Sequence, residues 1–309
     1  MSFSKETKSE LCNANIFKKE QKIAQVYGMV LFSKMFSNNN ISFSTESRPV
    51  AVLYAQELSS LTNTIVDLNV KLTRRCGETA FYILSVPDTN DCSKIFDFFG
   101  HSKNQINLRI NRANIDDDEC IKYFLRGVFL VCGNVTSPTK EYHLEFVVPH
   151  KKLAYDLETI ISEIREIDIH PKTVQRKGSY VVYIKGCENV TDMITYIGGQ
   201  MSAIEVIQNN IYKSVRNNVN RKTNSETANL KRTALASAKQ LEAINIIESQ
   251  KGLGYLPEEL REIAQIRLEY PEYNLRELGA ALKEPISRSG VNHRIQRIFE
   301  IAKELSGKS

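Results

Sequence analysis

Between Lys22 and Ile197 the apolar and polar positions run through one cycle twice. Ile23, Val26, Tyr27, Val30 and Leu31 recur at helical spacing and predict a helix over Lys22–Phe36. About a hundred residues later, Ile121, Phe124, Leu125, Val128 and Phe129 predict its counterpart over Glu119–Cys132. A strand follows each, Ile41–Ser44 and Tyr142–Val147, and then a helix, Val50–Leu61 and Lys151–Ile164. Each cycle then enters a hairpin. In the first, Val66–Thr73 turns through Arg74–Glu78 into Ala80–Val86; in the second, Ile169–Gln175 turns through Arg176–Ser179 into Tyr180–Ile184, with Gly178 suited to the bend. Helices near Ser93–Phe99 and Cys187–Ile197 close the two copies. The repeats, about 22–100 and 119–200, imply a pseudo-twofold α+β domain over residues 1–205.

Gly28 and Gly127 occupy matching places in the two opening helices, each flanked by bulky apolar residues. Glycine costs a helix about 1 kcal/mol, and close approach of a second backbone compensates. The pair therefore predicts two helices packed together at the pseudo-dyad.

From Ala234 to the end the pattern is helical throughout: Leu235–Ser249, Pro257–Tyr270, Leu275–Leu282 and Ser289–Leu305. Pro257 suits a first helical turn and Pro271 a stop. The last two helices, joined by a bend at Lys283–Pro285, have helix-turn-helix proportions, so residues 234–309 are expected to form an all-α domain with that motif at about 274–307, Asn274 to Gly307. In the final helix, Val291, Ile295, Ile298, Ala302 and Leu305 fall within about 40° of one line at 100° per residue. Ser289, Asn292, His293, Gln296 and Arg297 lie opposite. Asn and Gln suit adenine, Arg suits guanine, and Ser or His serves bases or phosphates, so this outward set suits the edges of base pairs. Arg288 and Arg294 flank it and suit phosphate, and Leu275, Arg276 and Ser287 complete the expected contact set.

Charge agrees with that placement. The net charge is +5, and residues 210–309 carry 17 Lys/Arg against 12 Asp/Glu, while residues 1–209 hold 24 of each. The whole surplus sits where a polyanion would bind. Within it, residues 206–233 form a connector rich in asparagine. Six basic residues and one acid, Glu226, lie between Lys213 and Arg232 among five asparagines. Arg221, Lys222, Asn224, Lys231 and Arg232 are candidate secondary DNA contacts; a solvated spacer is the alternative.

The remaining chemistry is sparse. Six scattered cysteines show no CxxC pair, which points to reduced thiols and no bound zinc. The N-terminus is polar and no apolar run spans a membrane, so a cytoplasmic, nucleoid-associated protein is expected. No glycine loop of the dinucleotide or Walker type occurs, and no cofactor is expected. His143, alone in a strand, lacks a nucleophile pattern and reads as structural.

The segment Leu125-Arg126-Gly127-Val128-Phe129-Leu130-Val131-Cys132-Gly133 resembles the LAGLIDADG helix of homing endonucleases, and Val26–Lys34 is a weaker copy. Active members carry an acidic metal ligand at the eighth position; this chain has Ser33 and Cys132. Magnesium needs anionic oxygen, so no metal and no enzyme activity are expected. Asp116–Glu119 reads as helix-start chemistry. The longer string FLRGVFLVCGNVTSPTKEYHLEF, the connector motif Thr227-Ala228-Asn229-Leu230 and the tail string PISRSGVNHRIQRI resemble the WhiA family of bacterial regulators, with Asn134, Ser225, Arg288 and Gln296 as departures. That resemblance implies a sequence-specific, double-stranded-DNA-binding transcription regulator in cell division, chromosome segregation and, in some relatives, sporulation. It also admits other transcription or division proteins as partners. Two rival readings stay open: a metal-dependent endonuclease with unconventional ligands, and a ligand- or protein-sensing interaction module.

Overall fold

The computed structural model describes residues 2–73, 79–103, 105 and 107–307. The chain divides into two compact units, Met1–Lys213 and Ser214–Ser309.

Unit 1 opens with α1 (Phe3–Asn13), a helix absent from the sequence-based expectation. Its signal is thin: Phe3, Thr7 and Leu11 form a buried stripe four residues apart inside an otherwise polar segment. Two matched halves follow. The first runs α2 (Lys19–Leu31), β1 (Met35–Phe36), β2 (Ile41–Thr45), α3 (Arg48–Thr62), β3 (Asp67–Thr73), β4 (Thr79–Ser85) and α4 (Thr89–Phe98). The second runs α5 (Asp118–Cys132), β5 (Gly133–Val135), β6 (His143–Val148), α6 (Lys151–Ser162), β7 (Lys172–Arg176), β8 (Ser179–Lys185) and α7 (Cys187–Tyr196). The sheets have the same antiparallel order, β1-β2-β4-β3 and β5-β6-β8-β7, with Phe43 opposite Leu84 in one and Leu144 opposite Ile184 in the other. The expected α+β pseudo-twofold repeat is present.

The α2 boundary differs from expectation. The helix starts earlier, at Lys19, and stops at Leu31 instead of Phe36, because the chain turns so that Met35 and Phe36 pair with Ser42 and Ile41. Apolar residues on both sides of the turn let the helical pattern run on past the true end. The β7–β8 hairpin turns within the expected Arg176–Ser179 segment: Arg176 pairs with Ser179, leaving a two-residue bend in which Lys177 and Gly178 both take positive φ, 49° and 83°. The turn anticipated at Arg74–Glu78 lies outside the described residues.

The two opening helices meet at their glycines. A Cβ on Gly28 would run into the Phe124 carbonyl, and one on Gly127 into that of Gln25. This contact lets α2 and α5 bury Tyr27, Val30, Phe124 and Val128 completely at the centre of the unit 1 core.

The helix α8 spans Gln200–Lys251, so the stretch 206–233, read from sequence as a connector, is helical throughout. Its first residues belong to unit 1. There Glu10 of α1 accepts hydrogen bonds from the backbone N–H groups of Met201 (2.7 Å) and Ser202 (3.0 Å) and from the Ser202 hydroxyl, filling the open donors of the helix start. In unit 2, the end of α8 packs with α9 (Glu258–Glu269), α10 (Leu275–Ala280) and α11 (Arg288–Leu305) around Ile244, Ile247, Ile263, Leu278, Val291, Ile295 and Ile298. Arg267, 2% exposed, donates from Nη1 to the carbonyls of Tyr273 (2.7 Å), Pro271 (3.2 Å) and Tyr270 (3.5 Å) and so fastens the α9–α10 loop.

Candidate nucleic-acid interface

Helix α11 owes its start to Ser287, whose hydroxyl caps the Gly290 N–H. The helix before it, α10, begins with a capping box: Asn274 accepts from the N–H groups of Arg276 and Glu277, and Glu277 accepts from the Asn274 N–H at 2.7 Å. Between them the Ile286 N–H bonds the Gly279 carbonyl (3.1 Å), and a Cβ on Gly279 would collide with the Ile286 carbonyl. The tight turn thus needs the glycine, and it fixes the angle at which α11 leaves α10.

The two faces of α11 separate as the periodicity requires. Val291, Ile295, Ile298 and Ala302 are buried and Leu305 is half-buried, while Ser289, Asn292, His293, Gln296 and Arg297 are all exposed. Arg276 and Arg288 are exposed as well. Two residues of the expected contact set are otherwise engaged. Leu275 is half-buried against the unit 2 core and offers no polar group. Arg294 is half-buried with Nη2 3.2 Å from Glu259, and that pair must open before the guanidinium meets another anion. Ser287 keeps its hydroxyl close to that of Ser289 (3.2 Å) while capping the helix.

Because 206–233 is helical, its cations are ordered in space. At about 100° per residue, Arg221, Asn224, Lys231 and Arg232 share a face about 100° wide, with Lys222 to one side. All five are exposed. No apolar side supports this stretch, since Val215, Val219 and Leu230 are exposed too.

The helix ends at the pseudo-dyad of unit 1 have another chemistry. Ser33 is buried and donates to the Met29 carbonyl (2.7 Å) and toward the Tyr54 hydroxyl (3.3 Å). The Cys132 thiol donates to the Val128 carbonyl (3.3 Å), and burial pushes its pKa up to about 12, so it stays protonated at neutral pH. Lys8 of α1 lies nearby, its Nζ 5.8 Å from the centre of the Phe129 ring. Burial pulls its pKa down to about 8, opposed by the two thiols Cys132 and Cys12. Two neutral donors and an ammonium do not fit a hard divalent cation, which takes anionic oxygen. Among the described residues, the acid-rich group Asp116, Asp117 and Cys120 lies at the opposite end of α5, where Asp117 caps the Cys120 N–H. His143 sits 3.4 Å from Glu145 and against the Tyr183 ring, a packed strand residue.

Residues 121–216 match the WhiA LAGLIDADG-like domain, and residues 219–302 match the WhiA C-terminal HTH domain. The chain is 38% identical over 315 residues to the probable cell division protein WhiA of Clostridium acetobutylicum, covering 99% of this chain and 98% of that protein. The chain belongs to the WhiA family. A second relative, the probable cell division protein WhiA of a Thermoanaerobacter species, is 37% identical, with 99% of this chain and 98% of the relative covered. The crystal structure of full-length WhiA from Thermatoga maritima shares the fold, with a TM-score of 0.59 at 24% identity over 98% of this chain and 99% of that one. The WhiA helix-turn-helix match begins at 219, inside α8, so the family's own C-terminal domain takes in most of the basic helical stretch that the sequence separates as a connector. Among the described residues, no helix is long and apolar enough to cross a membrane.

Sequence reasoning missed Lys8 and Arg267. A signal existed for the second. Leu260, Ile263, Ala264 and Arg267 share one helical stripe, so a cation sits in line with core residues and is most simply explained by a buried structural role.

Proposed function

We propose that this WhiA-family chain is a sequence-specific double-stranded-DNA-binding regulator of transcription without nuclease activity. It would act among genes of cell division and chromosome segregation. Helix α11 enters the major groove, with Asn292, His293, Gln296 and Arg297 toward base edges and Ser289 and Arg288 toward the backbone. Arg221, Lys222, Asn224, Lys231 and Arg232 add phosphate contacts along α8. One observation carries the reading: a ridge of amide, imidazole and guanidinium groups stands exposed on α11 directly opposite its sealed apolar stripe. The cell-division setting follows from the names of the relatives. The neutral donors at Ser33 and Cys132 support the non-nuclease half of this reading.

The test is a fluorescence-anisotropy titration of the full chain against operator-length duplexes selected from genomic DNA. Asn292→Ala and Arg297→Ala should each weaken binding to the preferred duplex by about 1–3 kcal/mol, with a smaller effect on scrambled DNA. Equal affinity of wild type and both variants for the preferred duplex would remove α11 as the reader. Nicking of supercoiled plasmid with Mg²⁺ or Mn²⁺, lost on Cys132→Ala, would overturn the non-nuclease half.

A further inference from the structure

Unit 2 contains a cleft of about 480 Å³ walled by α8, Arg267 of α9, the α9–α10 loop, the start of α10 and the first residue of α11. Its composition is one-sided. Four arginines line it, Arg232, Arg267, Arg276 and Arg288, and no carboxylate does. Among the described residues, no carboxylate lies within ion-pair distance of Arg232, Arg276 or Arg288, and all three are exposed, so each is free to turn inward. A cluster of unneutralised guanidiniums repels itself, and an anion relieves that repulsion.

The floor supplies an independent sign. Gln240 is 7% exposed, lines the cleft, and its side-chain oxygen has no hydrogen-bond partner. Arg267 has spent Nη1 on the loop carbonyls, yet its buried Nε also lacks an acceptor. A buried polar group without a partner destabilises the fold, and two in residues that line one cleft ask for a polar occupant. A glutamine amide turned by half a circle offers its NH₂ instead of its oxygen, so both floor groups can donate to the same anion.

We propose that this cleft is a binding site for a phosphoryl group. Three forked guanidiniums, the Arg267 Nε–H and two amides, Gln240 and Asn229, offer more donors than the two oxygens of a carboxylate can accept. A terminal phosphate, with three oxygens and nearly two charges, matches that set. The volume suits a molecule of mononucleotide size, within the roughly 300–1,000 Å³ of small-molecule sites. A phosphate in the backbone of DNA presents the same chemistry from a different carrier. The site does not depend on α11 reading bases, because its lining comes mainly from α8, the α9–α10 loop and the start of α10; its backbone-phosphate form rests on the proposed DNA contacts of Arg232 and Arg288.

Two arms identify the carrier. In the first, inorganic phosphate and AMP are titrated into the full-length protein by calorimetry without DNA. Binding that weakens about tenfold in Arg232→Met but not in Lys231→Met, one residue outside the cleft, supports a small phosphate ester. In the second, the salt dependence of binding to scrambled duplex is measured. Weaker binding to scrambled duplex in Gln240→Leu, with the slope of log K against log salt unchanged in that variant but shallower by about 0.9 in Arg232→Met, and with no AMP binding, supports a backbone phosphate. Gln240→Leu removes no charge, so a change in that variant reports the cleft itself and not general electrostatics. Failure of both arms overturns the proposal while leaving the α11 titration above unaffected.

Discussion

The closest test of the pseudo-dyad is a pair of glycine substitutions chosen to give opposite signs. Gly127→Ala places a Cβ on the backbone carbonyl of Gln25, with the Met29 nitrogen 3.1 Å away. Neither is the end of a flexible side chain, so α2 and α5 must move apart by about an ångström before ordinary contact is restored. A gap of that size forfeits a quarter to a half of each dispersion contact along the seam. Overpacking of this kind costs about 1–3 kcal/mol, more where backbone is involved, and the gain in helix propensity returns about 1 kcal/mol. A net loss of about 2–4 kcal/mol is expected. Gly290→Ala is the contrast. Its Cβ would meet the tip of Ile286 at 3.3 Å, a side chain able to yield, so propensity dominates and stability should hold or rise by up to about 1 kcal/mol. Urea unfolding of the full chain by far-UV circular dichroism gives the magnitudes, and hydrogen exchange assigns them to unit 1 or unit 2. Gly28→Ala should behave like Gly127→Ala, and the double variant should lose less than the sum, since helices already separated admit the second methyl more easily. Gly127→Ala within 0.5 kcal/mol of wild type, or less stable Gly290→Ala than Gly127→Ala, would refute this account of how the two helices meet.

Two further outcomes test other parts of the structure. Lys8 has a pKa lowered to about 8 by burial, so below pH 8 both folded and unfolded chains carry its proton and the desolvation penalty is in full force; between about 8 and 10.5 the unfolded chain binds the extra proton and stability rises with pH. Lys8→Met should stabilise unit 1 by about 1–2 kcal/mol at pH 7, discounted for partial exposure, and should flatten that rise in melts run from pH 7 to 10.5. Glu277→Ala breaks the capping box at α10 and should cost unit 2 about 1 kcal/mol by calorimetry; no change would mean the Asn274 N–H finds water as a satisfactory replacement.

What the sequence revealed depended on whether a segment faces a core. The stripes of α5 and α11 were readable because each buries one side completely, and the Lys177-Gly178 bend because two-residue hairpins demand positive φ. The basic stretch 206–233 was opaque as a helix for the opposite reason. With Val215, Val219 and Leu230 all exposed, and only Val206 at its start buried among the apolar residues, it has no buried face to impose a period. The strands β1 and β5, two and three residues long, are shorter than any alternation can mark. At the candidate interface, the outward set on α11 was legible residue by residue. The engagement of Arg294 with Glu259 and the packing of Leu275 were not, because each depends on what lies across a tertiary contact. The cleft was invisible for the same reason: Gln240 and Arg267 line one cavity only when α8 and α9 are folded together.

The presence of Ser33 and Cys132 at the two helix ends has a consequence for stability as well as for chemistry. Carboxylates crowded at two adjoining helix ends repel each other and the terminal carbonyls, and a divalent cation offsets that strain. A hydroxyl and a protonated thiol do the reverse. Each donates to the carbonyl four residues back: Ser33 to Met29, an acceptor the end of α2 leaves open, and Cys132 to Val128, inside the last turn of α5. These bonds lie within each helix segment, and the glycine contact with its apolar seam holds α2 against α5. The same place then tolerates Lys8, whose ammonium would be driven off by a bound dication. Introducing an acid, as in Ser33→Asp, would replace a donor by an acceptor facing the Met29 carbonyl, so that single substitution should lose stability before it gains a metal ligand.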